Sequence, residues 1–152
     1  MIQSILIADD EELIRKGIIA RLEYLDIKPS AIYEAENGFQ ALELLIKHKV
    51  DIIITDIRMA DMDGLTLIKQ TIPLYPKIQF IILSGYAEFA YAEQAIRLGV
   101  KAYLLKPISN EALKKAIEDV QQKLEEGEQL SRTVSEGTRS IIEKKATFLK
   151  KI

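Results

Sequence analysis

Five side chains of the types that handle charged oxygen chemistry fall where predicted strands stop. Asp9 and Asp10 follow Ile5-Leu6-Ile7-Ala8, and Asp56 follows the isoleucine-rich run 51–55. Ser84 follows 79–83 and Lys106 follows 102–105. The β-branched run ahead of Asp56 reads as a fully buried strand in the middle of a parallel sheet. An acid has a use at the carboxyl end of such a strand, where open α/β sheets form their ligand crevice. The first and third strands of a doubly wound sheet are neighbours, so Asp9, Asp10 and Asp56 open into one crevice. Like charges about 4 Å apart repel by about 4 kcal/mol per pair at an effective dielectric near 20. A hard dication with oxygen ligands relieves that repulsion, which points to Mg²⁺ or Mn²⁺. Asp9 or Asp10 alone would serve equally well as a cap on the first helix.

Lys106 reaches the same crevice as a point charge suited to a phosphoryl oxygen. Pro107 stops the strand behind it, and a cis Lys106–Pro107 bond would aim the lysine inward. Ser84, before Gly85, places a hydroxyl on the rim, although singly it reads as a turn residue. A carboxylate nucleophile, a dication, an ammonium and a hydroxyl together suit phosphoryl transfer to an aspartate. In that chemistry positioning and charge neutralisation do most of the work.

The elements that must hold these groups alternate strictly. Strands are predicted at 5–8, 31–35, 51–55, 79–83 and 102–105. Between and after them lie helices at about 13–25, 39–47, 65–72, 88–98 and 110–126. The first helix carries Leu13, Ile14, Gly17, Ile18, Ala20, Arg21, Leu22 and Leu25 on a predicted inner face. The fourth carries Phe89, Ala92, Ala95 and Ile96, with Gly99 as its C-cap. Five strands joined through short helical crossovers pair in parallel, giving a doubly wound α/β sandwich.

Composition removes several functional classes. The chain has 152 residues, 48% of them hydrophobic, and a net charge of −2, against coating nucleic acid through bulk charge. There is no cysteine for disulfides, thiolate metal sites or cysteine nucleophiles. No apolar stretch approaches the ~20 residues of a membrane span, and no signal peptide is visible, so a cytoplasmic location is expected. Residues 1–127 hold 15 Lys/Arg against 20 Asp/Glu, whereas residues 128–152 hold 6 against 3. An acidic domain over 1–127 is therefore expected, followed over 128–152 by a basic helical linker or the start of an effector region. The single histidine, His48, sits between two lysines at a helix end and reads as a solvated cation.

Ile7-Ala8-Asp9-Asp10-Glu11, Asp56-Ile57-Arg58-Met59, Asp61-Met62-Asp63-Gly64, Ser84-Gly85-Tyr86 and Lys106-Pro107 together resemble the motif set of response-regulator receiver domains. The resemblance covers residues 4 to about 124 and implies a flavodoxin-like sheet of order 2-1-3-4-5. It implies that Asp56 accepts a phosphoryl group from a sensor histidine kinase. Asp9, Asp10, Asp56 and the Arg58 backbone carbonyl would bind Mg²⁺, and Lys106 and Ser84 would hold the phosphoryl group. Tyr103, three residues before Lys106, matches the aromatic switch residue, although it also reads as a half-buried strand aromatic. The stretch 84–92 resembles receivers fused to AraC-type DNA-binding domains, in which the fourth helix belongs to the signalling face. In a plainer reading Phe89 and the tyrosines fill core. Ala60 stands where proline is usual, which touches no ligand side chain.

The resemblance further implies a phospho-dependent homodimer through the fourth helix, fifth strand and fifth helix, controlling transcription. DNA would be reached only through an effector domain outside this chain, since 128–152 offers no helix-turn-helix candidate. Two alternatives stand beside this non-enzymatic switch: a phosphate-independent interaction module with a vestigial site, and an aspartyl-phosphate hydrolase. The hydrolase would need a general acid two residues after its nucleophile, where Arg58 stands.

Overall fold

The central strands are apolar on both sides because each must meet a helical layer on either face. A computed structural model describes residues 4–85, 88–100 and 102–127. In chain order the elements are β1 (Ser4–Ala8), α1 (Glu12–Tyr24), β2 (Ala31–Ala35), α2 (Gly38–Lys47), β3 (Ile52–Asp56), α3 (Gly64–Thr71), β4 (Gln79–Ser84), α4 (Phe89–Arg97), β5 (Ala102–Leu105) and α5 (110–127). All strand pairs are parallel and the order is β2-β1-β3-β4-β5, as the resemblance implied. The expected linker over 128–152 lies outside the described residues.

Alternation along the strands divides the core into two layers. Leu6, Ile53, Phe80 and Ile82 pack with α2, α3 and α4 on one face. Ile5, Ile7, Ile52, Ile54, Ile81 and Leu83 pack on the other with Ile18 and Leu22 of α1 and Leu113, Ile117 and Val120 of α5. Local signals set the helix starts. Asn37 accepts a hydrogen bond from the Gln40 N–H, Asp63 from Thr66 and Ser109 from Ala112. Gly99, with φ of 101°, follows α4, where a left-handed residue closes the helix.

Two helices face differently from the sequence expectation. On α1, Leu13 is 85% exposed and Gly17 and Ala20 also face solvent, whereas Arg15 is buried beside Ile18 and Leu22. The helix carries two stripes, and only the one on Arg15, Ile18 and Leu22 meets the sheet. On α4, Ala92 and Ala95 are buried, but Phe89 and Ile96 are 61% and 51% exposed. Phe89 therefore does not fill core. Small residues form the contact side of α4, letting the helix lie close to the sheet while its large apolar groups point away. Ile46 is exposed in the same way at the end of α2.

Candidate functional site

Parallel register brings the strand-end groups together. Ala8 lies opposite Thr55 across β1 and β3, so the next residues, Asp9 and Asp56, emerge side by side. Oxygens of Asp9, Asp10 and Asp56 lie within 4.8 Å of one another. Asp9 is fully buried, Asp56 nearly so, and Asp10 exposed. Asp9 caps no helix directly: its Oδ1 accepts the Glu11 N–H at 2.9 Å, within the turn before α1. Among the described residues, Asp9 Oδ2 and Asp56 Oδ1 are buried without a hydrogen-bond partner. Buried carboxylate oxygens with no donor fit a hard cation, whose positive charge meets the unmet demand of both.

Lys106 enters from the far side. Its backbone N–H donates to the Ser84 carbonyl at 2.8 Å, extending the β4–β5 pairing one residue past Leu105. Its Nζ then lies 3.0 Å from Asp56 Oδ2 and 4.0 Å from Asp9 Oδ2. The Lys106–Pro107 peptide is cis. Ser84 is fully buried at the end of β4, and its Oγ has no hydrogen-bond partner among the described residues. On the near side Gly64 is required. Its N–H donates to the Ile57 carbonyl at 2.8 Å, and a Cβ there would collide with the Asp56 backbone carbonyl.

Electrostatics follow from this crowding. Burial pushes the Asp9 carboxyl up to about 6, with the Glu11 N–H opposing and the Asp56 charge adding to the push. Burial also raises Asp56, against the pull of the Lys106 hydrogen bond and charge. Burial alone would lower Lys106, but Asp56 and Asp9 outweigh it and hold the ammonium above its ordinary value. The arrangement is a buried acidic pocket with one cation, able to take a dication and then a tetrahedral anion.

The family model for the response regulator receiver domain matches residues 5–118. The chain belongs to this family. The receiver is 42% identical over 116 residues to the transcriptional regulatory protein YesN of Bacillus subtilis, covering 76% of this chain and 32% of that protein. It is 37% identical over 109 residues to the transcriptional regulatory protein HptR of Staphylococcus aureus, covering 72% and 42% respectively. The chain thus spans less than half the length of these curated relatives. Among solved structures, the receiver domain of AraT, a response regulator from Geobacillus stearothermophilus, matches at 42% identity with a TM-score of 0.74. That match covers 84% of this chain and 99% of that one. A two-component transcriptional regulator AraC from Clostridium phytofermentans matches at 35% identity with a TM-score of 0.70, covering 79% and 96%. The AraC-type resemblance is carried by these neighbours. Among the described residues of this receiver, no helix is long and apolar enough to cross a membrane.

Around the acidic pocket the receiver holds residues that sequence reasoning passed over. Glu88 accepts the Gly85 N–H at 2.9 Å and lies 3.7 Å from Arg58 Nε, whose guanidinium sits 5.5 Å from the Tyr91 ring. Arg15 donates from Nη1 to the Asp9 carbonyl at 2.7 Å and from Nε to Glu34 at 3.1 Å. Its signal was a charge on the stripe shared with Ile18 and Leu22. Tyr103 is half-buried and lines a cavity of about 290 Å³ with Phe89, Ala92, Glu93, Ile96 and Arg97. His48, expected as a solvated cation, is exposed but stacks on Tyr33 with ring centroids 4.4 Å apart. Tyr86 lies outside the described residues.

Proposed function

We propose that this receiver is a switch phosphorylated on Asp56 by a sensor histidine kinase. The observation that carries the reading is the convergence of three strand-end carboxylates within 4.8 Å, with Lys106 3.0 Å from Asp56. An Asp56 carboxylate oxygen attacks phosphorus, the N–P bond of the kinase phosphohistidine breaks, and the imidazole leaves. Asp9, Asp10, Asp56 and the Arg58 carbonyl would hold Mg²⁺ (or Mn²⁺), which when bound would supply charge neutralisation for the transfer. Lys106 balances the remaining negative charge, and Ser84 donates to the phosphoryl group it would face.

The acyl phosphate carries about −1.5 to −2 where the free carboxylate carried about −1, and it brings three further acceptor oxygens that can bias a two-state element through new hydrogen bonds. Ser84 and Tyr103 report that charge to the face of α4, β5 and α5, where Phe89, Tyr91, Ile96 and Leu105 are exposed. That face then forms a homodimer, and an effector region following the linker over 128–152 controls transcription in the cytoplasm. The chain turns over slowly on itself and is not otherwise an enzyme.

Intact-mass measurement after incubation with Mg²⁺ and acetyl phosphate tests the reading. A single labile phosphoryl adduct is expected, absent in Asp56→Asn and absent without metal. No adduct with any donor would favour a vestigial interaction module. Rapid multiple-turnover phosphate release would favour a hydrolase, against which stands the exposed Arg58 side chain in the general-acid position.

A further inference from the structure

We propose that Arg15 is a positioning residue for the acidic pocket, holding Asp9 so that a single oxygen is presented to a cation. The inference rests on the reading of Asp9 as a metal ligand. Every polar atom of Asp9 but one is assigned. Its N–H donates to the Ala35 carbonyl at 3.0 Å, and its carbonyl accepts from Arg15 Nη1 at 2.7 Å. Its Oδ1 accepts the Glu11 N–H at 2.9 Å, and Oδ2, 4.0 Å from Lys106 Nζ, is the one atom without a hydrogen bond among the described residues. Three of these bonds fix the residue's backbone and rotamer, and the fourth group faces the pocket.

Arg15 is 7% exposed, on the α1 stripe that packs against the sheet. An apolar side chain there would extend the stripe of Ile18 and Leu22 without the desolvation cost of a buried charge. The guanidinium is instead used as a fork, which lysine cannot reproduce. While Nη1 grips the Asp9 carbonyl, Nε donates to Glu34 Oε1 at 3.1 Å, and Lys16 Nζ takes Glu34 Oε2 at 2.7 Å. Glu34 sits on β2 next to Ala35, whose carbonyl receives the Asp9 N–H. The loop after β1 is therefore bridged to β2 twice, once through backbone and once through Arg15. Groups behind a metal ligand set its orientation, and their removal costs metal affinity about 10- to 100-fold in characterised sites.

Titration of the full chain with Mn²⁺, following free ion by electron paramagnetic resonance, tests the assignment. Arg15→Gln should weaken binding about tenfold or more, and Arg15→Lys less, because an ammonium keeps one of the two bonds. Glu34→Gln, at a partly exposed position that spares the buried core, should weaken binding about threefold by loosening the fork. In phosphorylation by acetyl phosphate, the losses should appear in the metal concentration for half-maximal rate more than in the maximal rate. Circular dichroism reports folding, and Glu34→Gln decides the matter if Arg15→Gln does not fold. A folded variant of either kind with wild-type Mn²⁺ affinity overturns the proposal. Wild-type protein that takes up no Mn²⁺ overturns the metal-site reading beneath it instead, so the two failures are distinct.

Discussion

The crevice at the carboxyl end of the sheet and the face of α4 and β5 depart from ordinary partitioning in opposite directions. The crevice buries polar oxygens without donors: Asp9 Oδ2, Asp56 Oδ1 and Ser84 Oγ. The face leaves Phe89, Tyr91, Ile96 and Leu105 in water while alanines fill the contact behind them. Unsatisfied buried polar atoms destabilise a fold unless a donor, a water or an ion meets them, and the three carboxylates of the crevice form a cluster that could hold a metal ion. Exposed large apolar groups cost little singly and gain when another macromolecule covers them, which is why the proposed dimer is drawn through this face. The half-buried Tyr103 belongs to the second region through the cavity it shares with α4, and β5 joins it to Lys106 in the first.

The comparison predicts unequal responses to mutation. Replacing Lys106 by Met should slow Asp56 phosphorylation by about 100-fold, read by intact mass against time, because one preorganised charge at a transferring group is worth that order. A rate within threefold of wild type would remove Lys106 from the reaction. Asp9→Asn should raise the stability of metal-free protein at pH 7.5 by about 3 kcal/mol in urea unfolding, since burial lifts this carboxyl from 3.8 to about 6. The sign follows from the proton count. The native state binds more protons than the unfolded one between those values, so metal-free stability falls as pH rises from about 4 to above 6. A destabilised Asp9→Asn would mean that the crevice holds its charges comfortably without metal.

Smaller effects belong to the exposed regions. Phe89→Ala should change stability by less than about 0.5 kcal/mol, as surface substitutions do, while abolishing phospho-dependent dimerisation in light scattering. A loss of several kcal/mol would place Phe89 in core and erase the contrast. At the rim, Lys16 and then Arg15 hold the Glu34 carboxyl below its ordinary value of 4.5. Glu34→Gln should therefore cost about 0.5 kcal/mol at pH 7. That difference from wild type should vanish as pH falls below the unfolded value and through the depressed one, and a pH-independent difference in Tm would assign it to packing instead.

Much of this was legible in the chain because strand ends are sharp local events. Apolar runs stop at Asp9, Asp56, Ser84 and Lys106, and parallel pairing carries those stops to one edge whatever the loops do. The five-strand alternation follows from that, while the strand order that sets Ser84 and Lys106 beside Asp56 came from the family resemblance. The helices were less legible, since α1 repeats an apolar spacing twice: Leu13, Gly17 and Ala20 on one stripe, Ile18 and Leu22 on the other. Periodicity shows that a helix has a face but not which face the sheet will take.

What the sequence by itself determined was which side chains end the strands and the parallel sheet that brings them together. Only the tertiary structure decided that Asp10 is exposed while Asp9 is sealed, that Arg15 turns inward to grip Asp9, and that Phe89 turns outward. The physical reason is range. Strand and turn preferences act between neighbours in the chain, whereas burial and hydrogen-bond assignment depend on what β2, β4 and β5 bring across from dozens of residues away.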